Sequence, residues 1–270
     1  MTLREAEERL RAAGVDSYGH DARELFIHAL GLNRYLPVSK TEDFSSAYLE
    51  EAVKRREERE PLAYILGECW FYNEVYKVNE DVLVPRPDTE ILVDYAVKNL
   101  PSGSLFLDLC TGSGCVAIST LANTVNTRSV AVDISEGALA VAAENAKRNG
   151  VSDRLTLVKC DIMSDKPPMC KPYAVLSNPP YIPDAVCDTL PPEVKREPGI
   201  ALGGGEDGMD FYRRIAPMAA DMIADGGFIA FEIGYDEGEK MRSLAQRLGL
   251  SVEIIKDYSS LDRVAVLRKM

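Results

Sequence analysis

The sequence predicts an α/β fold in which a mostly parallel sheet of seven strands follows a small helical bundle. Residues 85–270 alternate short apolar runs with helical patterns, which is typical of a parallel sheet covered by helices on both faces. Residues 1–70 carry helical patterns only. Residues 71–84 alternate apolar and polar side chains, which indicates a β-hairpin that links two domains.

Three amphipathic segments predict the helices of the N-terminal domain. In the first, Thr2 and Glu5 have the spacing of a capping box. In the second, Asp21 is expected to cap the helix start. The third ends in the charged stretch 54–60, which we expect to face solvent. The three segments are residues 2–14, 21–31 and 45–60.

The linker and the sheet are predicted from β-type patterns. The hairpin is expected to turn at residues 79–81, where Asn, Glu and Asp follow one another. Only three residues separate the last two strands, which is too few for a parallel crossover, so this pair should run antiparallel. The seven strands are residues 104–110, 129–135, 155–161, 173–178, 228–234, 251–258 and 262–269.

Composition narrows the class of protein. The net charge of −12 weighs against a dedicated nucleic-acid binder, which needs Lys and Arg for phosphates. Six scattered cysteines without a close pair, and histidines only at His20 and His28, make a zinc site an unfavoured interpretation. The charged N-terminus does not look like a signal sequence, and no apolar run approaches the roughly 18 residues of a membrane span. We therefore expect a cytoplasmic protein with reduced thiols and no membrane contact.

A glycine-containing turn follows the first strand of the predicted sheet. Gly112 and Gly114 have the spacing of a dinucleotide fingerprint, and Asp133 ends the next strand, where a carboxylate can bind ribose hydroxyls. This pattern fits either a nicotinamide dinucleotide or S-adenosylmethionine. Asp108 would repel a pyrophosphate but could hold the amino group of a methionine moiety. Asp161 could accept from an adenine amino group. With the antiparallel last strands, these features favour S-adenosylmethionine.

The stretch "NPPY" follows the fourth strand and so faces the same sheet edge. The proline after Asn178 restricts that residue to extended backbone, and Pro179 and Pro180 have no N–H group. The Asn178 side-chain oxygen and the Pro179 carbonyl then form a rigid pair of acceptors, and Tyr181 offers a flat surface for stacking. These groups match a planar group that carries –NH₂, whose two N–H bonds both need partners.

The chemistry expected at this edge is methyl transfer to a planar nitrogen. Holding both N–H groups would align the nitrogen with the sulfonium methyl group, so positioning and electrostatics carry the rate. Residues 85–270 contain no histidine, which excludes a histidine base on this domain. A nicotinamide dehydrogenase and a binding scaffold without turnover remain rivals, but the first leaves "NPPY" unexplained and intact Asn178 speaks against the second.

Together, "NPPY" and "DLCTGSG" resemble the pattern of methyltransferases that act on planar –NH₂ groups. The stretches "VPRPDTE", "REPLAYILGECWFYNEVYKV" and "REPGIALGGGEDGMDFYRRI" are more specific. With them, essentially the whole chain resembles the peptide chain release factor N5-glutamine methyltransferases. This resemblance implies a class I S-adenosylmethionine-dependent methyltransferase fold, Rossmann-like, behind an N-terminal helical domain that helps to recognise the substrate.

The resemblance also implies the reaction and the roles of residues. The substrate is the glutamine of the Gly-Gly-Gln motif in class 1 release factors, and S-adenosylhomocysteine is the product. We expect a monomer that binds no nucleic acid. Asn178 to Tyr181 hold the glutamine, and Asn178, Pro179 and Tyr181 are the candidate catalytic residues. The expected cofactor-binding residues are Asp108, Cys110, Thr111, Gly112, Ser113, Gly114, Asp133, Asp161, Ile162 and Asn178.

Two positions depart from this pattern, and one motif adds to it. Cys110 stands where the family commonly has glycine, so the backbone there is less free. Ile162 stands where relatives can carry an aromatic residue. In "VPRPDTE", Asp88 is expected to cap the following helix, with Arg86 and Glu90 near the cofactor. The rival inside the methyltransferase class is an N6-adenine or N2-guanine methyltransferase acting on DNA or RNA, which would use "NPPY" on an unstacked base.

Overall fold

The computed structural model describes residues 1–32, 37–44, 46–168 and 171–270. Ser45 and Cys170, which entered the sequence predictions, lie outside these ranges. The chain divides into two units. The smaller unit comprises Met1–Glu68 and the separate segment Pro191–Arg196, and the larger comprises Cys69–Leu190 and Glu197–Met270. The sequence pattern gave no sign that residues 191–196 pack with the helical unit.

Over its described residues, the smaller unit is a bundle of four helices around an apolar core. The capping box at Thr2 and Glu5 is confirmed, because each side chain accepts the other residue's backbone N–H. The bundle core contains Leu10, Phe26 and Leu49, all without solvent exposure. The helices are α1 (Leu3–Ala12), α2 (Tyr18–Leu30), α3 (Ala47–Glu57) and α4 (Leu62–Leu66).

One expectation for this unit is wrong and another fails at a single residue, and one buried arginine explains both. Asp21 does not cap α2, which already begins at Tyr18. Its carboxylate lies in the interior and accepts from Arg56 Nε at 2.8 Å. Arg56, in the stretch expected to face solvent, is only 5% exposed and also pairs with Glu193. A buried carboxylate needs an ionic partner, and this pairing overrides the local capping preference.

The larger unit contains a two-stranded hairpin and a seven-stranded sheet. The hairpin turns at residues 72–73, earlier than the 79–81 expected, because its first strand already begins at Glu68, before the alternating segment 71–84, and its second strand ends at Lys77. The strands are β1 (Glu68–Phe71), β2 (Glu74–Lys77), β3 (Leu105–Leu109), β4 (Arg128–Asp133), β5 (Leu155–Lys159), β6 (Ala174–Ser177), β7 (Phe228–Glu232), β8 (Leu250–Lys256) and β9 (Asp262–Lys269). The helices are α5 (Glu90–Asn99), α6 (Cys115–Ala122), α7 (Glu136–Arg148), α8 (Asp184–Cys187), α9 (Asp210–Met222) and α10 (Gly238–Arg247).

The order of the large sheet is β5-β4-β3-β6-β7-β9-β8. The strands from β5 to β7 pair in parallel, and β9 runs antiparallel to both of its neighbours. The predicted fold class is confirmed, including the antiparallel last pair. Successive strand residues alternate between two apolar cores, one shared with α5 and α6 and the other with α9 and α10. Both faces are thus covered, and the carboxyl ends of the central strands β3, β4 and β6 meet at one edge.

Candidate active site

The turn between β3 and α6 has a backbone that only a few residue types adopt. Cys110, Gly112 and Gly114 all have positive φ, at 61°, 53° and 81°. A Cβ atom on Gly114 would lie 2.8 Å from Ile118 Cδ1 and 3.2 Å from Ala142 Cβ. Glycine is required there on both counts. Cys110 adopts the same left-handed region without that freedom.

Two carboxylates hold this turn, each at the end of a central strand. Asp133 Oδ2 accepts from Gly112 N at 2.8 Å, which ties the turn to β4. Asp108 is 1% exposed and accepts from Thr111 Oγ1 at 2.5 Å and from Ala117 N at 3.2 Å. Burial raises the pKa of Asp108 to about 7, although these two donors oppose the shift. Asp108 therefore lies beneath the turn.

A cavity of about 290 Å³ opens at this edge of the sheet. Its wall includes nine of the predicted site residues: Cys110, Thr111, Gly112, Ser113, Asp133, Asp161, Ile162, Asn178 and Pro180. Four others lie outside the lining: Asp108, Gly114, Pro179 and Tyr181. The direct contact of Asp108 with a ligand, expected from the sequence, is not supported, because its carboxylate is used to hold the turn.

The segment that follows β5 contributes Asp161 and Ile162 to the cavity wall. Asp161 Oδ1 accepts from Met163 N at 2.9 Å, and Oδ2 accepts from Ser164 Oγ at 3.1 Å. Asp161 thus stabilises the turn that follows β5, while each oxygen retains a second lone pair. Ile162 is 5% exposed and packs into the apolar core on its other side.

Asn178 is held at the cavity wall by a residue far away in sequence. Its Nδ2 donates to Thr89 Oγ1 at 3.2 Å, and Thr89 is 1% exposed. Just before it, Ser177 Oγ donates to the Leu109 carbonyl at 2.6 Å, which joins the ends of β6 and β3. Among the described residues, no donor contacts Asn178 Oδ1 or the Pro179 carbonyl oxygen. Both predicted acceptors therefore remain free of protein partners.

Tyr181, expected from the sequence to offer a stacking surface, is not among the residues that line the cavity. Its ring packs against the apolar core, and its hydroxyl donates to Glu232 Oε1 at 3.3 Å. Glu232 is 1% exposed, and burial raises its pKa to about 7. Burial also raises the pKa of Tyr181, so the phenol stays protonated. Tyr181 thus ties the last residue of "NPPY" to the end of β7.

The glycine-rich stretch 202–208 packs closely against Tyr181 and Ile182, at the end of "NPPY". Ile182 N donates to the Leu202 carbonyl at 2.9 Å, and Gly204 N donates to the Ile182 carbonyl at 2.8 Å. A Cβ atom on Gly204 would lie 2.7 Å from Tyr181 Cα, and one on Gly208 would lie 2.4 Å from Tyr181 O. Two backbones approach this closely only because side chains are absent there.

In the motif "VPRPDTE", Arg86 lies at the cavity as expected, whereas Asp88 and Glu90 make other contacts than those expected. Arg86 lies on the cavity wall and pairs with the buried Glu197, which also accepts from Val84 N at 2.9 Å. Glu90 lies away from the cavity and accepts from Tyr72 N at 2.8 Å in the hairpin turn. Asp88 does not cap α5; it belongs to a 3₁₀ turn and pairs with Arg263 at 3.3 Å.

The sequence predictions missed four residues that hold the site. These are Thr89, Glu197, Gly204 and Glu232. Thr89 and the segment containing Glu197 and Gly204 lie in stretches that were used only for their resemblance to a family. The resemblance of these stretches to the family was the only sequence feature that pointed to them, because no local spacing rule connects them with "NPPY".

In the described part of the chain, no group of three or more His, Cys, Asp or Glu side chains could hold a metal ion. The five described cysteines form no disulfide, and burial raises the pKa of the Cys110 thiol, which favours its neutral form. No helix within the described ranges has the length and apolar character needed to cross a lipid bilayer.

Comparisons with known proteins address the whole chain. Residues 2–67 match the model of the PrmC N-terminal domain, and residues 87–189 match the methyltransferase small domain. The release factor glutamine methyltransferase of Caulobacter vibrioides is 38% identical over 97% of this chain and 93% of its own length. That of Cereibacter sphaeroides is 39% identical over 98% of this chain and 96% of its own. The chain belongs to the release factor glutamine methyltransferase family.

Solved structures show the same fold for this family's sheet. The hMettl16 catalytic domain, in complex with a MAT2A 3′UTR hairpin, superposes with a TM-score of 0.58 at 13% identity, covering 72% of this chain and 75% of that one. The ribosomal protein L11 methylase of Lactobacillus delbrueckii subsp. bulgaricus gives 0.51 at 18% identity, covering 68% and 81%. At these identities the likeness concerns fold alone, and it is the methyltransferase fold that the sequence predicted.

Proposed function

We propose that this protein methylates the side-chain amide nitrogen of the glutamine in the Gly-Gly-Gln motif of class 1 peptide chain release factors, with S-adenosylmethionine as the methyl donor. The observation that carries the proposal is a pair of acceptors without protein donors among the described residues: Asn178 Oδ1, on a residue that lines the cavity, and the carbonyl oxygen of the next residue, Pro179. Membership of the release factor glutamine methyltransferase family supports the choice of substrate.

The residues of the cavity fit this donor. Asp133 and Asp161 place carboxylates at two neighbouring strand ends, suited to ribose hydroxyls and to an adenine amino group. Open space beside Gly112, where a Cβ atom would meet nothing within 4 Å, leaves room at the turn. The acidic wall also suits a cation. When bound, S-adenosylmethionine supplies an electrophilic methyl group on positively charged sulfur, and the product is S-adenosylhomocysteine.

The chain's own contribution is to orient an unreactive nitrogen. An amide nitrogen is a poor nucleophile because its lone pair is delocalised into the carbonyl group. Asn178 Oδ1 and the Pro179 carbonyl can each accept one of its two N–H bonds, which fixes the direction of the lone pair. The same oxygens stabilise positive charge that develops on the nitrogen. The protonated product nitrogen is acidic, so no histidine is needed, and the larger unit contains none.

The cellular setting follows from the substrate. Release factors act in translation, so we place the protein in the cytoplasm, as a monomer whose partner is its protein substrate. The net charge of −12 disfavours the alternative, an N6-adenine or N2-guanine methyltransferase acting on DNA or RNA. We assign recognition of the release factor to the helical domain, residues 1–70.

The test is methyl transfer from labelled donor to purified class 1 release factor, with DNA and RNA as parallel acceptors. We expect label in the release factor only, and mass spectrometry should place one added CH₂ on the glutamine of the Gly-Gly-Gln peptide. Asn178→Ala should lose transfer by at least about 100-fold, as expected when a group that stabilises developing charge is removed, while binding of the donor persists. Label in nucleic acid, or full activity of the variant, would contradict the proposal.

A further inference from the structure

The side chain of Asn178 has two ends that are almost identical in shape but opposite in hydrogen bonding. One end, Oδ1, accepts, and the other, Nδ2, donates. Rotating the carboxamide by half a turn would direct Nδ2 at the substrate –NH₂, which has no acceptor to offer. The following proline restricts the backbone of Asn178 but not the rotation of its carboxamide. Something beyond "NPPY" itself must distinguish the two ends.

Thr89 makes that distinction. Its Oγ1 accepts from Asn178 Nδ2 at 3.2 Å, so the opposite end, Oδ1, is left for the cavity. Thr89 is 1% exposed, so water cannot easily replace this contact. A threonine hydroxyl can both donate and accept, however. It fixes the orientation of Asn178 only if its own proton is directed elsewhere.

Glu232 provides the acceptor for that proton. Thr89 faces the Glu232 carboxyl group and favours its ionised form, as does Arg263. Glu232 Oε2 is buried and has no hydrogen-bond partner that meets ordinary distance and angle limits among the described residues. An unpaired buried carboxylate oxygen is costly, so the Thr89 proton turns toward it. The oxygen of Thr89 then presents only lone pairs to Asn178.

Resting on the proposed function, we propose that Thr89 is a positioning residue that decides which end of the Asn178 carboxamide faces the substrate, and that Glu232 fixes the direction of the Thr89 hydroxyl. The three residues come from the turn before α5, the segment after β6 and the end of β7. The same carboxyl group accepts from Tyr181, so Glu232 also holds the far end of the tetrapeptide. This arrangement gives Thr89, in the motif "VPRPDTE", a defined task in the reaction.

The test compares Thr89→Val with Thr89→Ser, using the release factor as substrate. Valine keeps the shape and removes the hydroxyl, so kcat should fall about ten-fold, the effect of one hydrogen bond in a dry site. The KM for the donor should stay close to that of the parent protein, while the melting temperature should fall because buried polar groups lose a partner. Thr89→Ser restores the hydroxyl and should recover at least half of the lost kcat. Glu232→Gln, which can donate as well as accept, should give an intermediate loss.

Thr120→Val is the matched control. Thr120 is also fully buried, but its Oγ1 has no hydrogen-bond partner among the described residues and it lies away from the cavity wall. Its kcat should match that of the parent protein. The proposal is overturned if Thr89→Val keeps full kcat, if Thr89→Ser is as impaired as Thr89→Val, or if Thr120→Val loses as much.

A second measurement separates this proposal from the proposed function. Selective ¹⁵N labelling of asparagine gives a side-chain amide signal for Asn178, assigned by its loss in Asn178→Ala. In Thr89→Val the amide protons of that signal should shift upfield, because Nδ2 loses its acceptor, whereas Thr120→Val should leave them in place. This readout needs no substrate. An unchanged signal in Thr89→Val contradicts the positioning role, and an inactive parent protein with the shift present contradicts only the proposed function.

Discussion

The glycine turn and the "NPPY" segment line the same cavity but are held in place in different ways. The turn is held by Asp108 in the preceding strand β3 and by Asp133 at the end of the adjacent strand β4, 21 residues after Gly112, so both supports lie within one β-α-β unit. "NPPY" is held by Thr89, by Gly204 and by Glu232, which belong to three separate stretches of the chain. One half of the site is therefore largely local, and the other is assembled by the completed fold.

This difference has a consequence for function. Damage to the contacts that hold "NPPY" should reduce methyl transfer while binding of the donor persists, because the turn keeps its own supports. Damage at the turn should weaken binding of the donor first. The four predictions below test that separation, in order of decreasing effect.

The largest effect is expected from Gly204→Ala, compared with Gly112→Ala. The new Cβ would lie 2.7 Å from Tyr181 Cα and 2.8 Å from the Pro180 carbonyl oxygen, so the segment must move. A displacement of this kind can reduce kcat by about 100-fold. At Gly112 a Cβ would meet nothing within 4 Å, and only the φ of 53° opposes it. Turnover kinetics and calorimetric titration with the donor should show lost kcat in the first variant and weakened binding in the second.

The next effect concerns Glu197, which ties the chain just before the glycine-rich stretch to residues 84–86 of the motif that also contains Thr89. Glu197→Ala leaves Val84 N and Arg86 without their acceptor in a site where Glu197 is 4% exposed. Denaturant unfolding should show a loss of about 2 kcal/mol. The control is Glu136→Ala, whose pair with Lys159 is exposed, and which should leave the unfolding free energy close to that of the parent protein. Equal losses would show that the Glu197 contact is no stronger than a surface pair.

The pH dependence of stability tests the support of the turn. Burial raises the pKa of Asp108 to about 7 from its ordinary value of 3.8, so between these values the folded protein holds a proton that the unfolded chain has released. Stability from this group therefore falls as pH rises through that window. Asp108→Asn should flatten the fall by about 1–2 kcal/mol. Glu232 shifts in the same direction but is present in both proteins, so their difference isolates Asp108.

The measurement for Asp108 is the unfolding free energy at pH 5 and pH 7.5 for both proteins. Two curves that stay parallel across this range would mean that Asp108 titrates normally in the folded protein. The turn would then lack the buried support that distinguishes it from the "NPPY" side.

The smallest effect is expected at Cys110, where φ is 61°. Cys110→Gly and Cys110→Ala both remove the thiol, but only glycine accepts the left-handed backbone without strain. Cys110→Gly should therefore be more stable than Cys110→Ala by about 1 kcal/mol. Thermal unfolding of the two variants measures this difference directly. If alanine is equally stable, the turn relaxes around position 110 and is less rigid than the contacts of Asp133 imply.

The same contrast explains what could be predicted from the sequence. The Thr2 capping box depends on a residue three positions away, and the β3–α6 turn depends on residues of a single β-α-β unit, so the spacing of the sequence showed both. Tyr181 was predicted to stack because the sequence does not show that Glu232 lies within reach of its hydroxyl. Asp21 was predicted to cap because its partner Arg56 is 35 residues away. Partnerships of this kind arise from tertiary packing, which local patterns do not encode.

One feature of the chain path affects how the protein can be dissected. Residues Pro191–Arg196 pack with the helical unit although both flanking stretches belong to the catalytic one. Glu193 in this segment pairs with Arg56 and Arg59. Deleting residues 1–68 would remove both arginines and leave the Glu193 carboxylate without its counterions. An isolated catalytic fragment should therefore be engineered with Glu193 neutralised, and the helical unit is not a module that can be swapped between relatives by a single crossover in the gene.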